Sequence, residues 1–468
     1  LDQHPWEECL SVLAPKLRHR MSVLVLLYAT SSNYTECRKI IKRFLNEIES
    51  LLNLMSTPIL KSFIGWRMVA LAFFLDFCAV GYSFQSFPVV VLELSREFSL
   101  SRFSASLPIP IFMIMSSLFM PFIGKALDAG SIKRILSLGA LVYGLSLISL
   151  YFTFSYFFFL MIFTLPIALG VTMMGNISVS KLISVWFRKY TGRALGIASV
   201  GVSFAGFVFP NLTSFILNDL GLTWREAYLI FGILVLAINI PVVHFFIVDS
   251  PRDINQFPDG EDREEIATNN LEKDWAIEEL IRDKNFWVLS LVFAIQFCSM
   301  MGVLSHVTFY SEGKGWSQSW AAFIFSMYAM PAIASKIIFG WLVENKLDAR
   351  AAVAISLIIQ SGAILSIFFV ETPYQMVILV MLFGFGGGSA LPLSNILFNR
   401  AYSNKSFGKA RGAAQPFISI FQISGTLVAA WLFDFYGNYD LAFIMLGSIL
   451  IIPLIAIWFF EEELKSNP

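Results

Sequence analysis

The chain has 468 residues, of which 57% are hydrophobic and only 14% charged, and its mean hydropathy is +0.70. A soluble domain is typically about 45–50% apolar and about 25% charged, so this composition excludes an ordinary soluble protein and favours one embedded in a membrane. The 33 basic and 33 acidic residues cancel, and a chain without net charge has no overall field that would attract nucleic acid.

The first 61 residues are mixed in polarity. Their best apolar run, Met21 to Ala29, is too short to cross a bilayer, which takes about 20 residues. Met55 precedes a polar stretch and then a long apolar run, as a natural start would. We therefore expect 1–61 to be a cytosolic extension that function does not need, and an over-long reading frame is one explanation for 1–54.

Twelve apolar runs follow, each of about 20 residues or more, which is enough to cross about 30 Å of hydrocarbon. The runs lie near 66–92, 104–126, 135–154, 157–183, 192–217, 225–248, 286–310, 317–342, 349–370, 374–399, 411–433 and 439–460. A core helix of a soluble protein needs a polar face, which most of these runs lack. The sequence therefore predicts an all-α integral membrane protein of about twelve transmembrane helices.

Basic residues are distributed unequally between the two sides of this predicted bundle. The loops that join helices 2–3, 4–5, 8–9 and 10–11 contain twelve: Lys125, Lys133, Arg134, Arg188, Lys189, Arg193, Lys346, Arg350, Arg400, Lys405, Lys409 and Arg411. The short loops of the opposite side contain four: Arg96, Arg102, Arg225 and Lys314. We call the first side the basic face, and the positive-inside rule places it in the cytosol together with both termini. The prediction is a multi-pass protein of the cell (inner) membrane.

The predicted order is an N-terminal six-helix bundle at 62–248, a hydrophilic cytosolic linker at 249–285, a C-terminal six-helix bundle at 286–462 and a tail at 463–468. Secondary transporters often contain such internal repeats, with the substrate site near the midplane between the halves.

One loop pattern occurs at equivalent positions in both halves: a glycine, three residues, an acid, and basic residues five or six positions later. Its members are Gly124, Asp128, Lys133 and Arg134 in the 2–3 loop and Gly340, Glu344 and Arg350 in the 8–9 loop. Glycine lets two helices approach closely, and the acid can pair with a basic residue or a helix N-terminus of a facing loop.

On these residues the chain resembles the major facilitator superfamily, whose cytosolic 2–3 loop reads Gly-x-x-x-Asp-basic-x-Gly-x-basic-basic. The resemblance implies the major facilitator fold, with two six-helix pseudo-repeats, alternating access, and gating loops that latch the cytosolic side. The alternative is a solvated turn with incidental charges. Gly65-Trp66 before the first helix and Arg282 to Trp287 before the seventh resemble the monocarboxylate and oxalate/formate transporter branch.

Asp76 lies near the middle of the first predicted helix, with no cation within one turn of it in sequence. Charge inside a bilayer costs roughly 2.5–3.5 kcal/mol by insertion scales, so an embedded ionisable residue is a functional candidate. We interpret Asp76 as a site that loads and releases a proton. The alternatives are a carboxylate paired with a distant residue for packing, or one that faces the cavity without a role.

Lys336 lies in the eighth predicted helix, four residues before Gly340. In the monocarboxylate transporters that the chain resembles, a cationic residue at this place attracts the substrate carboxylate. The resemblance therefore implies that Lys336 binds an organic anion. The alternative is a lysine that extends along the helix so that its ammonium reaches the cytosolic interface.

Further polar residues lie inside the predicted helices. His306 near the end of helix seven can titrate in the physiological range and line the outer cavity, or it is an interfacial histidine. The resemblance implies that helices 1, 4, 7 and 10 line the cavity, which favours Asn176, Gln296 and Asn395 as substrate contacts. The alternative for each of these three is hydrogen bonding between helices.

No enzyme is predicted, because the histidines are scattered and no nucleophile or ATP-binding motif is found. We expect no cofactor and no metal, and as partners a small-molecule substrate, protons and the lipid bilayer, with a monomeric chain. The predicted function is secondary transport of a small organic anion such as a mono- or dicarboxylate. The alternatives are efflux of amphiphilic compounds and a transporter-like membrane sensor.

Overall fold

The structure is a computed structural model that describes residues 63–100, 104–105, 107–260, 274–345 and 347–461. The predicted extension at 1–61, the tail at 463–468 and the middle of the predicted linker, 261–273, lie outside these residues.

Within the part of the chain that the structure describes, eleven helical stretches are long and apolar enough to cross a membrane. We number them α1 Gly65–Val91, α2 Pro108–Ala129, α3 Ile132–Phe152, α4 Tyr156–Trp186, α5 Thr191–Asp219, α6 Trp224–Phe246, α7 Lys284–Gly313, α8 Phe323–Asn345, α9 Ala349–Phe369, then a long stretch Pro373–Tyr436, and Asp440–Phe459.

The long stretch is two helices. Its 64 residues would extend about 96 Å as a straight helix, more than three times the hydrocarbon thickness. Ser403 interrupts it with a backbone of φ 52° and ψ 177°, which no α-helix contains. We therefore divide it into α10 (373–402) and α11 (404–436), and the last helix is α12. The predicted twelve transmembrane helices are confirmed.

Side-chain caps begin several of these helices and explain where they start. Ser131 accepts a hydrogen bond from the backbone N–H of Arg134 at the start of α3 (3.2 Å), and Asp283 accepts one from Phe286 at the start of α7 (3.2 Å). Thr223 and Glu226 form a reciprocal capping box at α6. These caps satisfy amide groups that have no partner within the helix itself.

Two helices are irregular where functional side chains lie. In α1, a π-helical turn at Gly81–Gln85 follows the segment Gly65–Val80. In α4, Gly175 has φ −92° and ψ −149° and divides the helix into Pro166–Met174 and Asn176–Trp186. In transporters, such interruptions are tolerated where the backbone borders a cavity or another helix.

Helices α1–α6 form one half and α7–α12 the other, as the two pseudo-repeats predict. The halves pack against each other mainly through α2 on α11 and α5 on α8. Helix α11 begins seven residues before the predicted 411, since 404–410 continues as helix. Its first turns pack against α2, so part of the predicted loop is an interface instead.

Candidate functional site

Asp76 is buried in the middle of α1, with 1% of its surface exposed. Its Oδ2 accepts a hydrogen bond from Nδ2 of Asn176, at 3.5 Å, on the second segment of α4. Its Oδ1 has no hydrogen-bond partner among the described residues. A buried carboxylate with one free oxygen can accept a proton or a ligand donor there.

Asn176 and Asn395 join the two halves beside Asp76. Nδ2 of Asn395, on α10, donates to Oδ1 of Asn176 at 3.2 Å and to Oγ of Ser180 at 2.9 Å. The sequence analysis favoured both asparagines as cavity residues, and the structure places them in one hydrogen-bonded group with Asp76.

This group continues to Arg411 on α11. Nε of Arg411 donates to Oδ1 of Asn395 at 3.1 Å, and its Nη1 donates to Gln415 at 2.5 Å. The guanidinium also lies 5.7 Å from the centre of the Phe398 ring. We call Asp76, Asn176, Asn395, Arg411 and Gln415 the polar network. It crosses from α1 through α4 and α10 to α11.

Lys336 is 5% exposed and its ammonium points into the bundle, toward α5. Nζ donates to the carbonyl oxygen of Ser199 at 2.9 Å and to Oγ of Ser203 at 2.7 Å. The charges of Lys336 and Asp76 are close enough to interact electrostatically. The side chain therefore lies between the halves, with its ammonium bonded to α5.

Gln296 and His306 belong to other hydrogen-bond groups. Gln296 is fully buried, and its Nε2 donates to Ser356 at 2.9 Å and to Gln360 at 3.3 Å, both on α9. His306 bonds through Nδ1 to the hydroxyl of Tyr439 at 3.1 Å and through Nε2 to the Thr426 carbonyl at 3.0 Å. Among the described residues, neither side chain shares a hydrogen bond with the polar network.

The first gating loop contacts the start of α11. Asp128 accepts hydrogen bonds from the backbone N–H groups of Gly408 at 3.0 Å and Lys409 at 2.7 Å. It also forms an ion pair with Lys181 at 2.6 Å. A Cβ atom on Gly124 would lie 1.9 Å from the Gly408 carbonyl oxygen, so only glycine permits this helix crossing.

The second gating loop repeats this arrangement with the halves exchanged. Glu344 accepts hydrogen bonds from the backbone N–H and the guanidinium of Arg193 on α5. A Cβ atom on Gly340 would lie 2.4 Å from the Gly192 carbonyl oxygen, and the reverse distance is also 2.4 Å. The acid of each half therefore bonds to backbone amides near the N-terminal end of a helix in the other half, and the glycines allow the close approach.

The remaining basic residues of the two loops have local partners. Backbone N–H groups of Lys133 and Arg134 bond to Asp249 (2.6 Å) and Ser131 (3.2 Å), respectively. Arg350 pairs with Asp348 at 2.7 Å, and its hydrogen bonds lower the pKa of that carboxyl below its ordinary value.

The polar segment between the halves also contacts the basic face: Asp259 accepts backbone hydrogen bonds from Arg188, Lys189 and Tyr190 at 2.8–3.1 Å.

Two buried cations were missed by the sequence analysis. Arg411 was counted among the loop charges, but it is 4% exposed and part of the polar network. Lys181 lies inside the fourth predicted run and was passed over, although a lysine within an apolar run is itself a signal. Among the described residues, no group of three His, Cys, Asp or Glu side chains could hold a metal.

Twelve apolar helices in two halves, with charged groups buried where the halves meet, define a multi-pass membrane transport protein. The sequence matches the Major Facilitator Superfamily over residues 69–373 and 321–468. The chain belongs to this family, whose members are non-enzymatic transporters.

Individual relatives are distant. Monocarboxylate transporter 13 of Bos taurus is 24% identical over 274 residues, which cover 58% of this chain and 60% of the bovine protein. An MFS-type transporter of Gibberella moniliformis is 23% identical over 80% of this chain and 85% of its own length. The Fujikurins efflux protein of Gibberella fujikuroi is 29% identical over 37% of this chain and 38% of that protein.

Solved structures share the fold at low identity. The human organic anion transporter MFSD10 superimposes with a TM-score of 0.65 at 14% identity, over 84% of this chain and 98% of that one. The Escherichia coli fucose:proton symporter FucP gives a TM-score of 0.63 at 16% identity, over 84% and 98%. These likenesses establish the major facilitator fold.

Proposed function

We propose that the chain is a secondary active transporter of small organic anions, such as mono- or dicarboxylates, that works by alternating access with proton coupling. The observation that carries this proposal is the buried ammonium of Lys336, which two neutral serine oxygens hold between the halves. A buried charge needs an opposite charge, and Asp76 is available for only one of the two buried cations, Lys336 and Arg411. A substrate carboxylate supplies the missing negative charge.

Proton coupling is assigned to Asp76, because its free Oδ1 can take up a proton while Asn176 holds the other oxygen. Asn176 and Asn395 are proposed substrate contacts at the meeting point of the halves. The partners of His306 favour a structural role, whereas Gln296, whose buried Oε1 has no partner among the described residues, is retained as a proposed substrate contact.

We also propose that the basic face is cytosolic, that both termini lie there, and that the protein resides in the cell (inner) membrane. With Arg411 removed from the count, eleven basic residues remain on this face against four on the other. The boundaries 62–248, 249–285 and 286–462 are proposed for the bundles and the linker, and one chain is proposed as the functional unit. Because the gating loops are joined across the basic face, substrate enters this state from the opposite face.

The proposal is tested with the full-length chain in proteoliposomes, by measuring uptake of labelled lactate, pyruvate, oxalate and succinate with and without a pH gradient. We expect uptake of at least one anion, faster with an inward proton gradient. Lys336→Gln lowers uptake by about tenfold or more, because hydrogen bonds to charged groups contribute about 1.5–3 kcal/mol, and Lys336→Arg retains part of it. Lys314→Gln, on the opposite face, is the matched control. No flux of any carboxylate under any gradient contradicts the proposal.

Efflux of amphiphilic compounds is the second candidate. A cluster of aromatic rings borders Ser203: Phe77 lies 4.9 Å from Phe209 and 5.7 Å from Phe204 between ring centres. A fungal relative is an efflux protein by name. Extrusion of an apolar fluorescent acid from loaded vesicles, with no uptake of small carboxylates, favours this candidate. Tight binding without flux favours a sensor.

A further inference from the structure

Arg411 is the least expected member of the polar network. It is 4% exposed, and the two acceptors of its described hydrogen bonds, Asn395 and Gln415, are neutral amides. An arginine without a carboxylate partner is costly inside a membrane protein and therefore indicates a function.

The guanidinium determines the direction of every hydrogen bond between itself and Asp76. Arginine has donors and no acceptor, so Asn395 must present its Oδ1 to Arg411. Its Nδ2 then faces α4 and donates to Asn176 and Ser180. Asn176 has used its oxygen as an acceptor and presents its Nδ2 to Asp76, whose Oδ2 is left to accept. A hydrogen-bond donor stabilises an ionised carboxylate more strongly than a neutral carboxyl group, so the chain of donors favours ionised Asp76.

The hydrogen bonds from Asn395 to Asn176 and Ser180 exist only while the halves are together at this level. Asn395 belongs to the C-terminal half and Asn176 to the N-terminal half. Arg411 lies three residues beyond Gly408, which bonds to Asp128 in the first gating loop. Opening of the basic face separates Asn395 from Asn176 and removes the constraint that keeps the Asn176 amide pointing at Asp76.

We propose that Arg411 is a positioning residue that couples closure of the basic face to the protonation state of Asp76 through the amides of Asn395 and Asn176. The proposal rests on the proposed role of Asp76 in proton coupling. It adds a mechanism by which one half of the molecule transmits the state of the gate to a carboxylate in the other half. With the gate closed, the donor from Asn176 favours the ionised form of Asp76. With the gate open, this donor is lost and the protonated form is favoured more.

Other charged groups around Asp76 are accounted for. Lys336 on α8 acts on Asp76 through its charge, whatever the direction of the amides. Lys181 on α4 is paired with Asp128, and Arg193 on α5 is paired with Glu344. The experiment must therefore separate the hydrogen-bond chain from a simple effect of positive charge.

The test is an infrared titration of the purified full-length protein, in which the Asp76 carboxyl signal is isolated by subtraction of the spectrum of Asp76→Asn. In Arg411→Gln we expect the midpoint of the Asp76 titration to move up by about one pH unit, because the Asn176 amide is no longer held as a donor to the carboxylate. Lysine, like arginine, has donors and no acceptor, so Arg411→Lys should keep the midpoint of the Asp76 titration within about 0.3 pH unit of the wild type. Lys405→Gln removes an exposed charge near the start of the same helix and leaves the midpoint unchanged.

A double-mutant cycle with Asn395→Leu separates the two explanations. Asn395→Leu alone keeps both charges and should shift the midpoint as far as Arg411→Gln does. Adding Arg411→Gln to it should then shift the midpoint no further. An equal shift by Arg411→Gln in both backgrounds overturns the proposal, since the effect is then one of charge alone. If Arg411→Gln does not fold, the Asn395→Leu and Arg411→Lys titrations decide, because the proposal requires a shift in the first and none in the second.

The titration needs no substrate, so its outcome is independent of the uptake assay. Carboxylate uptake with an unshifted midpoint leaves the transport function intact and removes the role of Arg411. A shifted midpoint without uptake of any carboxylate retains the relay and removes the organic-anion assignment.

Discussion

The buried charged side chains between the helices are of two kinds, which differ in the partners that surround them. Asp128 is fully engaged by Lys181 and two backbone amides, as expected of a structural latch. Asp76, Lys336 and Arg411 are instead held mainly by neutral amide and hydroxyl groups. Charges left without full compensation inside a membrane protein are where a charged substrate or a proton can be bound and released.

At the residue scale, Asp76→Asn should uncouple transport from protons. The amide cannot change charge in the physiological range, so concentrative uptake driven by a pH gradient should be lost. Exchange of labelled for unlabelled substrate should persist. Both rates are measured in proteoliposomes, with Asp219→Asn, an exposed carboxylate at the end of α5, as the control. Unaltered proton-driven accumulation in Asp76→Asn contradicts this role.

A second prediction at this scale concerns stability on the opposite face. Hydrogen bonds from Arg225 lower the pKa of Glu97 below 4.5, so the pair stabilises the folded state above that pH and loses this contribution as the pH falls through the pKa of Glu97. The wild type should therefore melt a little higher than Glu97→Gln at pH 7, by about a degree for a half-exposed pair, and this difference should shrink below pH 4.5. Thermal unfolding in detergent at several pH values measures it, and a difference that grows with acidification would be inconsistent.

Helix elements meet at the basic face through two crossings of the same design. In each, a glycine of one half touches a backbone carbonyl of the other, and an acid one turn later bonds to a backbone amide near the start of the opposing helix. The crossing of α5 and α8 uses Gly192 with Gly340, and that of α2 and α11 uses Gly124 with Gly408. Backbone contact of this kind closes the face without bulky side chains that would have to repack on opening.

At the element scale, Gly340→Ala should hold the basic face open. The added Cβ would lie 2.4 Å from the Gly192 carbonyl oxygen, so the crossing cannot close. Spin labels across the basic face should report longer distances. Gly362→Ala on α9 is the matched control, because its Cβ meets nothing within 4 Å and alanine is a better helix former than glycine. Equal distance distributions in both variants would rule out the crossing as a constraint.

On the basic face, two acidic residues, which we call the latches, join the halves in opposite directions. Asp128 of the N-terminal half holds α11, and Glu344 of the C-terminal half holds α5. The polar segment between the halves adds contacts on the same face: Lys133 bonds to Asp249, and Lys409 pairs with Asp274 and lowers the pKa of that carboxyl. Opening therefore requires several interactions to break together, which favours two discrete states.

At the scale of the molecule, Asp128→Ala and Glu344→Ala should each shift the population toward a state open at the basic face, and the double variant should shift it further. The reason is that each single variant keeps one acid, which still holds one pair of helices together: α2 and α11 through Asp128, or α5 and α8 through Glu344. The measurement is the labelling rate of a cysteine that replaces Ser199, a buried residue of α5 whose backbone carbonyl contacts Lys336 of α8, with Asp434→Ala, an exposed carboxylate, as the control. A double variant that labels no faster than either single one would show that the latches do not act in parallel.

Much of this architecture could be predicted from the sequence, because the bilayer imposes length and polarity on each segment separately. Twelve runs, two halves and the repeated Gly-x-x-x-acid loops were all visible in the chain. Asp76 was identified as a candidate because a carboxylate inside an apolar run is conspicuous by itself. Asn176 and Asn395 were favoured by family resemblance, and the structure brings both of them to Asp76.

Only the tertiary structure decided which charges face the interior and which partners they have. Arg411 is the first residue of an apolar run in the sequence and resembles a loop charge. In the structure α11 begins earlier, so Arg411 lies within the helix and its side chain points into the bundle. His306 and Gln296 resemble cavity residues in the chain, but their hydrogen bonds lie within the C-terminal half: His306 bonds through both ring nitrogens and Gln296 through Nε2, while Oε1 of Gln296 has no partner among the described residues. The physical reason is that hydrogen bonds between helices depend on rotation and register, which helices remote in sequence acquire only when they pack.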